Sequence, residues 1–242
     1  MPGTCARSST ARACSASCAH CAPPVPARTA EAVPGDVPFA HRAQAARRLA
    51  ERLCDYRGTD PLVLAIPRGA APMGRIIADA LQADLDVLLV RKLGAPGNPE
   101  WAVGAVDENG IMHVADHALL AGADRSYLRH ERVRQLERIR EQRRLYGHGR
   151  APIDPRGRVV IVVDDGLATG QTMVAALAAV RRQGPARVVC AVPVAAREAL
   201  ARVRTLADEV ICLHAPEHFD GVGQFYLRFG QVTDEEVIDA LR

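Results

Sequence analysis

The densest group of chemistry-bearing residues is Asp164-Asp165-Gly-Leu-Ala-Thr-Gly-Gln-Thr172, which follows the apolar run Val159-Val-Ile-Val-Val163. An unbroken apolar run of this kind reads as a strand buried on both faces. It delivers two adjacent carboxylates to its carboxyl end, the edge where parallel sheets place ligands. A Gly- and Thr-bearing turn then opens a helix, whose N-terminal amides (Leu167, Ala168, Thr169, Gly170 and Gln171) favour a phosphate, helped by the hydroxyls of Thr169 and Thr172. Two carboxylates beside a phosphate alone would repel it. They make sense when the ligand also offers hydroxyl donors or a bound metal, as a ribose 5-phosphate does with its 2′ and 3′ hydroxyls. The bland alternative is a pair of helix-capping acids.

Other phosphate loops fit less well. A Walker A motif needs a Lys-Ser/Thr pair after its second glycine; Gly166 and Gly170 are too close together, and Gly69-x4-Gly74 is followed by Arg75-Ile76. Three further pieces surround the acidic pair in the expected fold. Ile66-Pro67-Arg68-Gly69 ends the first strand, and Arg91-Lys92 ends the second at the same edge. Lys92 is the only lysine in a chain that otherwise uses arginine, and a compact ammonium suits a crowded pyrophosphate better than a guanidinium fork. The stretch 94–101, with two Gly and two Pro, reads as a loop, with Glu100 near its end and the only tryptophan, Trp101, beside it.

Together these residues resemble the type I phosphoribosyltransferase family. Asp164 to Thr172 is similar to its signature for phosphoribosyl pyrophosphate (PRPP), and Pro67-Arg68-Gly69 to its tight pyrophosphate loop, where members hold a strained, sometimes cis, peptide. The Pro-Arg-Gly, Arg-Lys-Leu-Gly, Asn-Pro-Glu and Asp-Glu-Glu-Val pieces look closest to a bacterial branch sometimes fused to hydrolase domains. Where relatives often carry Arg-Gly-Gly, this chain has Arg68-Gly69-Ala70. The resemblance covers residues 39–242 and implies transfer of 5-phosphoribosyl from PRPP to a nitrogenous acceptor with release of pyrophosphate, in a setting such as nucleotide salvage. By that resemblance Asp164 and Asp165 would hold the ribose hydroxyls and Mg²⁺, Leu167 to Thr172 the 5′-phosphate, and Arg68, Gly69 and Lys92 the pyrophosphate. Glu100, on the family's mobile flap, would approach the reacting centre or the metal. The acceptor would lie under a small hood, for which His218, Phe219 and Tyr226 are the candidates, although the aromatic rings could equally be hood core. Many members dimerise, so a homodimer is an expectation.

The elements that must position these residues follow from periodicity. Helical patterns cover 43–53, 72–82, 124–150, 171–183, 197–206 and 233–241, the last opened by Thr233 and Glu236 as a capping box. Apolar strands cover 61–66, 86–90, 158–163, 187–193 and 209–213, and residues 103–106 and 110–114 form a hairpin. The expected fold is α/β: a type I phosphoribosyltransferase-like parallel sheet with flanking helices, a small hood and an inserted hairpin-helix segment. In the helix over 124–150, Leu128, Val133, Leu136, Ile139 and Tyr146 form the packing arc, with arginines and Glu131, Glu137 and Glu141 on the solvated face. An alternative function follows from that face: a non-catalytic PRPP- or nucleotide-binding regulator that touches RNA.

Composition bounds these readings. The chain has 242 residues, 48% hydrophobic and 24% charged, with a net charge of +3. That is one large domain or two small ones. No apolar run approaches the roughly 18 residues of a membrane helix, and a cytoplasmic location is expected. The 31 basic and 28 acidic residues give no global signature for nucleic acid, which is not expected as a partner. Residues 1–37 are Ala-, Pro-, Ser- and Arg-rich, with no acid before Glu31, and read as a disordered tail or an upstream start. Cys5, Cys14, Cys18 and Cys21 with His20 lack zinc-site spacing, while Cys54, Cys190 and Cys212 sit in the body, residues 38–242. His113, His117, His130 and His148 show no ligand grouping and read as surface residues.

Overall fold

A computed structural model of the chain describes residues 38–147 and 150–242. The tail with its four cysteines and His20 lies outside the described residues, as does His148. In chain order the elements are α1 (Arg42–Arg52), β1 (Leu62–Ala65), α2 (Ala71–Leu81), β2 (Asp84–Val87), β3 (Val90–Ala95), β4 (Asn98–Asp107), β5 (Met112–Val114), α3 (Arg125–Gly147), β6 (Val159–Val163), α4 (Gln171–Arg181), β7 (Arg187–Val194), α5 (Arg197–Val203), β8 (Glu209–His214) and α6 (Asp234–Ala240).

Five strands form a parallel sheet in the order β2-β1-β6-β7-β8. The apolar runs of β1, β6, β7 and β8 are explained by burial on both faces, while β2, at the sheet edge, is Asp84-Leu-Asp-Val87 with its start exposed. Val63, Ala65, Ile161 and Val163 pack with Leu49, Met73 and Ile77 of α1 and α2. The alternate residues Leu62, Leu64, Val160 and Val162 pack with Met173, Leu177 and Val180 of α4 and with Ala199 and Leu200 of α5. Chain order runs outward from β1 to β2 on one side and from β6 to β8 on the other. The gap between the carboxyl ends of β1 and β6 is therefore the topological switch point, where ligands of open α/β sheets bind.

The insertion between β2 and β6 is larger than the sequence suggested. β3, β4 and β5 form a separate antiparallel sheet, and a third core joins it to α3 and α6 through Leu93, Val103, Val106, Ile139, Tyr146 and Val237. The strand expected over 86–90 is split, ending in the main sheet at Val87 and restarting as β3, so Arg91 and Lys92 belong to the second sheet. The stretch expected as a loop over 94–101 is the tip of the β3–β4 hairpin. Register shifts on either side of Gly94 absorb the local irregularity, and Pro99, which cannot donate to a ladder, sits opposite them. A side-chain carbon on Gly94 would fall 2.7 Å from the Pro99 backbone. The glycine that reads as loop in sequence is thus what lets the two strands approach.

The packing arc of α3 differs too. Leu128, Ile139 and Tyr146 are buried as expected, but Val133 is exposed, and Glu131 and Gln135 take its place inside. The buried Glu131 carboxylate is engaged by Arg134 and by Gln135 Nε2 at 2.7 Å. Arg143, expected on the solvated face, is turned inward as well. It binds Asp86 Oδ1 at 2.7 Å, Glu108 Oε2 at 2.8 Å and the Val87 carbonyl at 2.8 Å, tying α3 to the end of β2.

Past β8 the chain forms the hood, with a short 3-10 turn at Val222–Phe225. The described N-terminal segment completes it: Phe39 N–H donates to the Phe225 carbonyl at 2.7 Å, and Leu227 N–H to the Phe39 carbonyl at 2.8 Å. Thr233 and Glu236 make the expected capping box at α6. Among the described residues no helix is long and apolar enough to cross a membrane.

Candidate functional site

Strands β1 and β6 are register neighbours, Ala65 opposite Val163. The loops that leave them therefore face each other: residues 66–70 from β1 and 164–170 from β6. Contact is close at Gly69, where an added side-chain carbon would fall 2.1 Å from Asp165 Oδ2. Any residue but glycine would displace the carboxylate. The Pro67–Arg68 peptide in the same loop is cis. Ala70 has φ −86° and ψ −11°, ordinary helical backbone that a methyl group does not perturb.

Asp164 Oδ1 accepts from the Asp165 amide at 2.9 Å. Asp165 Oδ2 accepts from Arg42 Nε and Nη2, both at 2.9 Å. Burial first, and then the neighbouring Asp165, holds the Asp164 carboxyl well above the usual range. Burial also raises Asp165, against the opposing pull of Arg42. A pair of desolvated carboxylates with one counterion favours a ligand that brings hydroxyl donors or a cation.

The loop after the pair divides into an anchor and a cradle. Leu167 does not offer its amide to a ligand. That N–H donates to the Val194 carbonyl at 2.9 Å, and the side chain is buried in the core between the sheet and α4 and α5. This pins the loop to β7. From Ala168 to Thr172 the amides lead into α4 at its N-terminus, the arrangement that receives an oxyanion.

Two cavities meet at this edge. The larger, about 660 Å³, is lined by Arg68, Arg91, Lys92, Arg138, Thr172 and Asp234. The smaller, about 360 Å³, is lined by Arg68, Gly69 and Asp165 on the sheet side and by Arg42, Val222 and Phe229 toward the hood. Arg68 lines both cavities, so the 67–69 loop divides them. Gln171 and Lys92 also line a third cavity of about 530 Å³ between α4 and the second sheet. The structure thus brings together Asp165, Arg68, Gly69, Lys92 and the 168–172 loop. Glu100 lies in β4 close to the hairpin tip, and its side chain is outside the described residues.

The hood candidates are placed differently from the cavity wall. Tyr226 is buried, its hydroxyl donating to the Asp165 carbonyl at 2.7 Å. Phe219 packs on Phe225 with ring centres 5.2 Å apart. His218 is at the surface. The aromatic ring that does reach the cavity is Phe229, which stacks on Tyr226 and carries the Arg42 guanidinium 3.8 Å above its centre. Arg42 also donates to the Gly230 carbonyl at 2.7 Å. Sequence reasoning missed both residues, since nothing distinguishes Arg42 from the many other arginines.

For a metal, the protein's own donors at this edge are Asp164 and Asp165. Among the described residues no three His, Cys, Asp or Glu side chains come together. Such a donor set suits Mg²⁺, which keeps most of its waters and is shared with substrate phosphates.

Comparison with known proteins agrees with this geometry. The sequence profile of the phosphoribosyl transferase domain matches residues 39–229. Two Mycobacterium tuberculosis proteins provisionally named as phosphoribosyl transferases, MT0597 of strain CDC 1551 / Oshkosh and Rv0571c of strain ATCC 25618 / H37Rv, are each 42% identical over 202 residues, 83% of this chain. The chain spans 45% of the length of these relatives. The crystal structure of TT1426 from Thermus thermophilus is 46% identical, with a TM-score of 0.74 over 84% of this chain and 97% of that one. The two facing loops at the β1–β6 switch point and the match over residues 39–229 lead to one conclusion: the chain belongs to the phosphoribosyl transferase domain family.

Proposed function

We propose that the protein transfers the 5-phosphoribosyl group of PRPP to a nitrogenous acceptor and releases pyrophosphate. One observation carries this reading: a desolvated carboxylate pair and an N-terminal helix cradle leave the same strand, directly facing a glycine loop from the adjacent strand. That combination suits a ligand with two hydroxyls, a terminal phosphate and a second polyanionic end.

In this reading the 168–172 amides and the Thr169 and Thr172 hydroxyls hold the 5′-phosphate, and Asp164 and Asp165 accept hydrogen bonds from the ribose hydroxyls. Arg68, Lys92 and the Gly69 backbone receive the pyrophosphate. The bond from C1 to the pyrophosphate oxygen breaks with its electron pair leaving on pyrophosphate. The acceptor nitrogen donates its lone pair to C1 and loses its proton to the departing pyrophosphate. Positive charge developing at C1 is stabilised by the two carboxylates, so the protein's contribution is electrostatic and needs no covalent nucleophile. Magnesium, which Asp164 and Asp165 would hold, would supply charge neutralisation on the leaving group. In this reading the β3–β4 hairpin, whose Gly94 and Pro99 line the larger cavity, closes to exclude water from C1. The hood-side cavity, with Val222, Phe229 and Gln231, is the place for the acceptor.

Replacing both acids together (Asp164→Asn with Asp165→Asn) tests the reading. Turnover, followed as pyrophosphate release across a panel of nitrogenous bases, is expected to fall by about 10³-fold or more with the circular dichroism spectrum unchanged. Retained turnover in a folded variant removes the acids from the mechanism.

A further inference from the structure

The larger cavity extends well beyond what a diphosphate needs. Its volume of about 660 Å³ is in the range that receives whole small-molecule ligands. Its lining adds two guanidinium groups, Arg91 of β3 and the exposed Arg138 of α3, to Arg68 and Lys92. The two carboxylates on the same wall are already engaged, Glu131 by Arg134 and Gln135, and Asp234 by the Tyr146 hydroxyl at 2.5 Å and, more loosely, by Arg68 at 3.9 Å. Among the described residues no carboxylate pairs with Arg91, Lys92 or Arg138. Arg91 Nε is buried without an acceptor. A charged donor left unsatisfied away from water is costly unless a ligand completes it. Burial, and after it the like charge of Arg138, lowers the proton affinity of the Arg91 guanidinium. Two cations in the lining of one cavity are relieved by an anion bound there.

We propose that Arg91 and Arg138, which line this cavity together with Arg68 and Lys92, form a third phosphate subsite, so that the protein binds oligophosphates of three or more groups, either an inorganic chain or the tail of a nucleoside triphosphate. The proposal rests on the reading above for the first two phosphates, which lie at Arg68 and Lys92. Guanidinium forks suit the outer oxygens of such a chain through charge-assisted hydrogen bonds. A ligand of this kind competes with PRPP and couples turnover to the oligophosphate level.

The test is calorimetric titration of pyrophosphate, inorganic tripolyphosphate, ATP and PRPP at equal excess Mg²⁺ and about 0.15 M salt, where loose surface attraction is screened. Tripolyphosphate is expected to bind about tenfold more tightly than pyrophosphate, equivalent to about 1.4 kcal/mol. In Arg138→Gln that preference disappears. In Arg140→Gln, two residues further along α3 and so about 200° around the helix, it persists. No preference in the wild type, a preference that survives Arg138→Gln, or an equal loss in Arg140→Gln would each overturn the subsite. ATP binding as tightly as tripolyphosphate identifies a nucleoside triphosphate as the source, and ATP failing to bind identifies the inorganic chain; both support the subsite. The arms also separate the two readings. Failure of PRPP with the tripolyphosphate preference intact sinks the transferase and keeps the subsite, whereas PRPP binding without the preference does the reverse.

Discussion

At the residue scale, the acidic pair and its glycine partner carry the account. Gly69 lies against Asp165 Oδ2 closely enough that even a methyl group cannot fit. Gly69→Ala is therefore expected to push the Asp165 side chain off its Arg42 contact and lower PRPP affinity by at least about tenfold, since sub-ångström placement of such groups controls binding and rate. Calorimetry on the variant checks this; unchanged affinity would mean that Asp165 is not held for the ligand. The cysteines make a second residue-scale prediction. Burial pushes the Cys212 thiol up to about 11, and burial followed by Cys212 and Asp164 raises Cys190 further. A raised thiol pKa means that the reactive thiolate is scarce below it, about 0.1% at pH 8 for a pKa near 11. Alkylation at pH 8 followed by peptide mass mapping should modify the exposed Cys54 while sparing Cys190 and Cys212 until the protein is denatured. Modification of all three at one rate in the native protein would contradict the burial.

At the element scale, legibility followed burial. Four of the five main-sheet strands, β1, β6, β7 and β8, could be located from the sequence because each carries an apolar run buried on both faces. By contrast β2, Asp84-Leu-Asp-Val87, is polar and exposed at its start and begins two residues before the expected run. The acidic loop could be placed because it follows β6. The insertion was harder to read. Its hairpin tip holds Gly94, Pro96, Gly97 and Pro99, which signal a loop, yet the first glycine marks close strand approach and Pro99 lies at a register irregularity. On α3, polar residues are buried because they serve a network and a cavity wall, so hydrophobic periodicity chose Val133 where Glu131 is inside. The Arg143 network makes the energetic consequence testable. Arg143→Leu leaves the partly buried carboxylates of Asp86 and Glu108 without their cation. Breaking a buried pair from one side costs about 3 kcal/mol. Urea unfolding should show a loss of that order, and a loss under about 1 kcal/mol would mean that water already screens these groups.

At the scale of the whole molecule, three cores meet around one edge. The sheet positions the two loops, the hood closes one side through Arg42 and Phe229, and the insertion brings Arg91, Lys92 and Arg138 to the other. Arg42 and Phe229 were not legible, since each reaches the site only when the segment around Phe39 pairs with the hood across the length of the chain. The most direct measurement of the central claim uses the single tryptophan, Trp101, which stacks on His117 in the second sheet with ring centres 5.8 Å apart. Thermal unfolding is followed by its fluorescence with and without Mg²⁺-PRPP, in wild type and in the Asp164→Asn/Asp165→Asn variant. A ligand at about 100 times its Kd stabilises the native state by about 2.7 kcal/mol. The account predicts an upward shift in Tm of several degrees for wild type and none for the variant. No shift in wild type, or an equal shift in both, would contradict a PRPP site at the acidic pair.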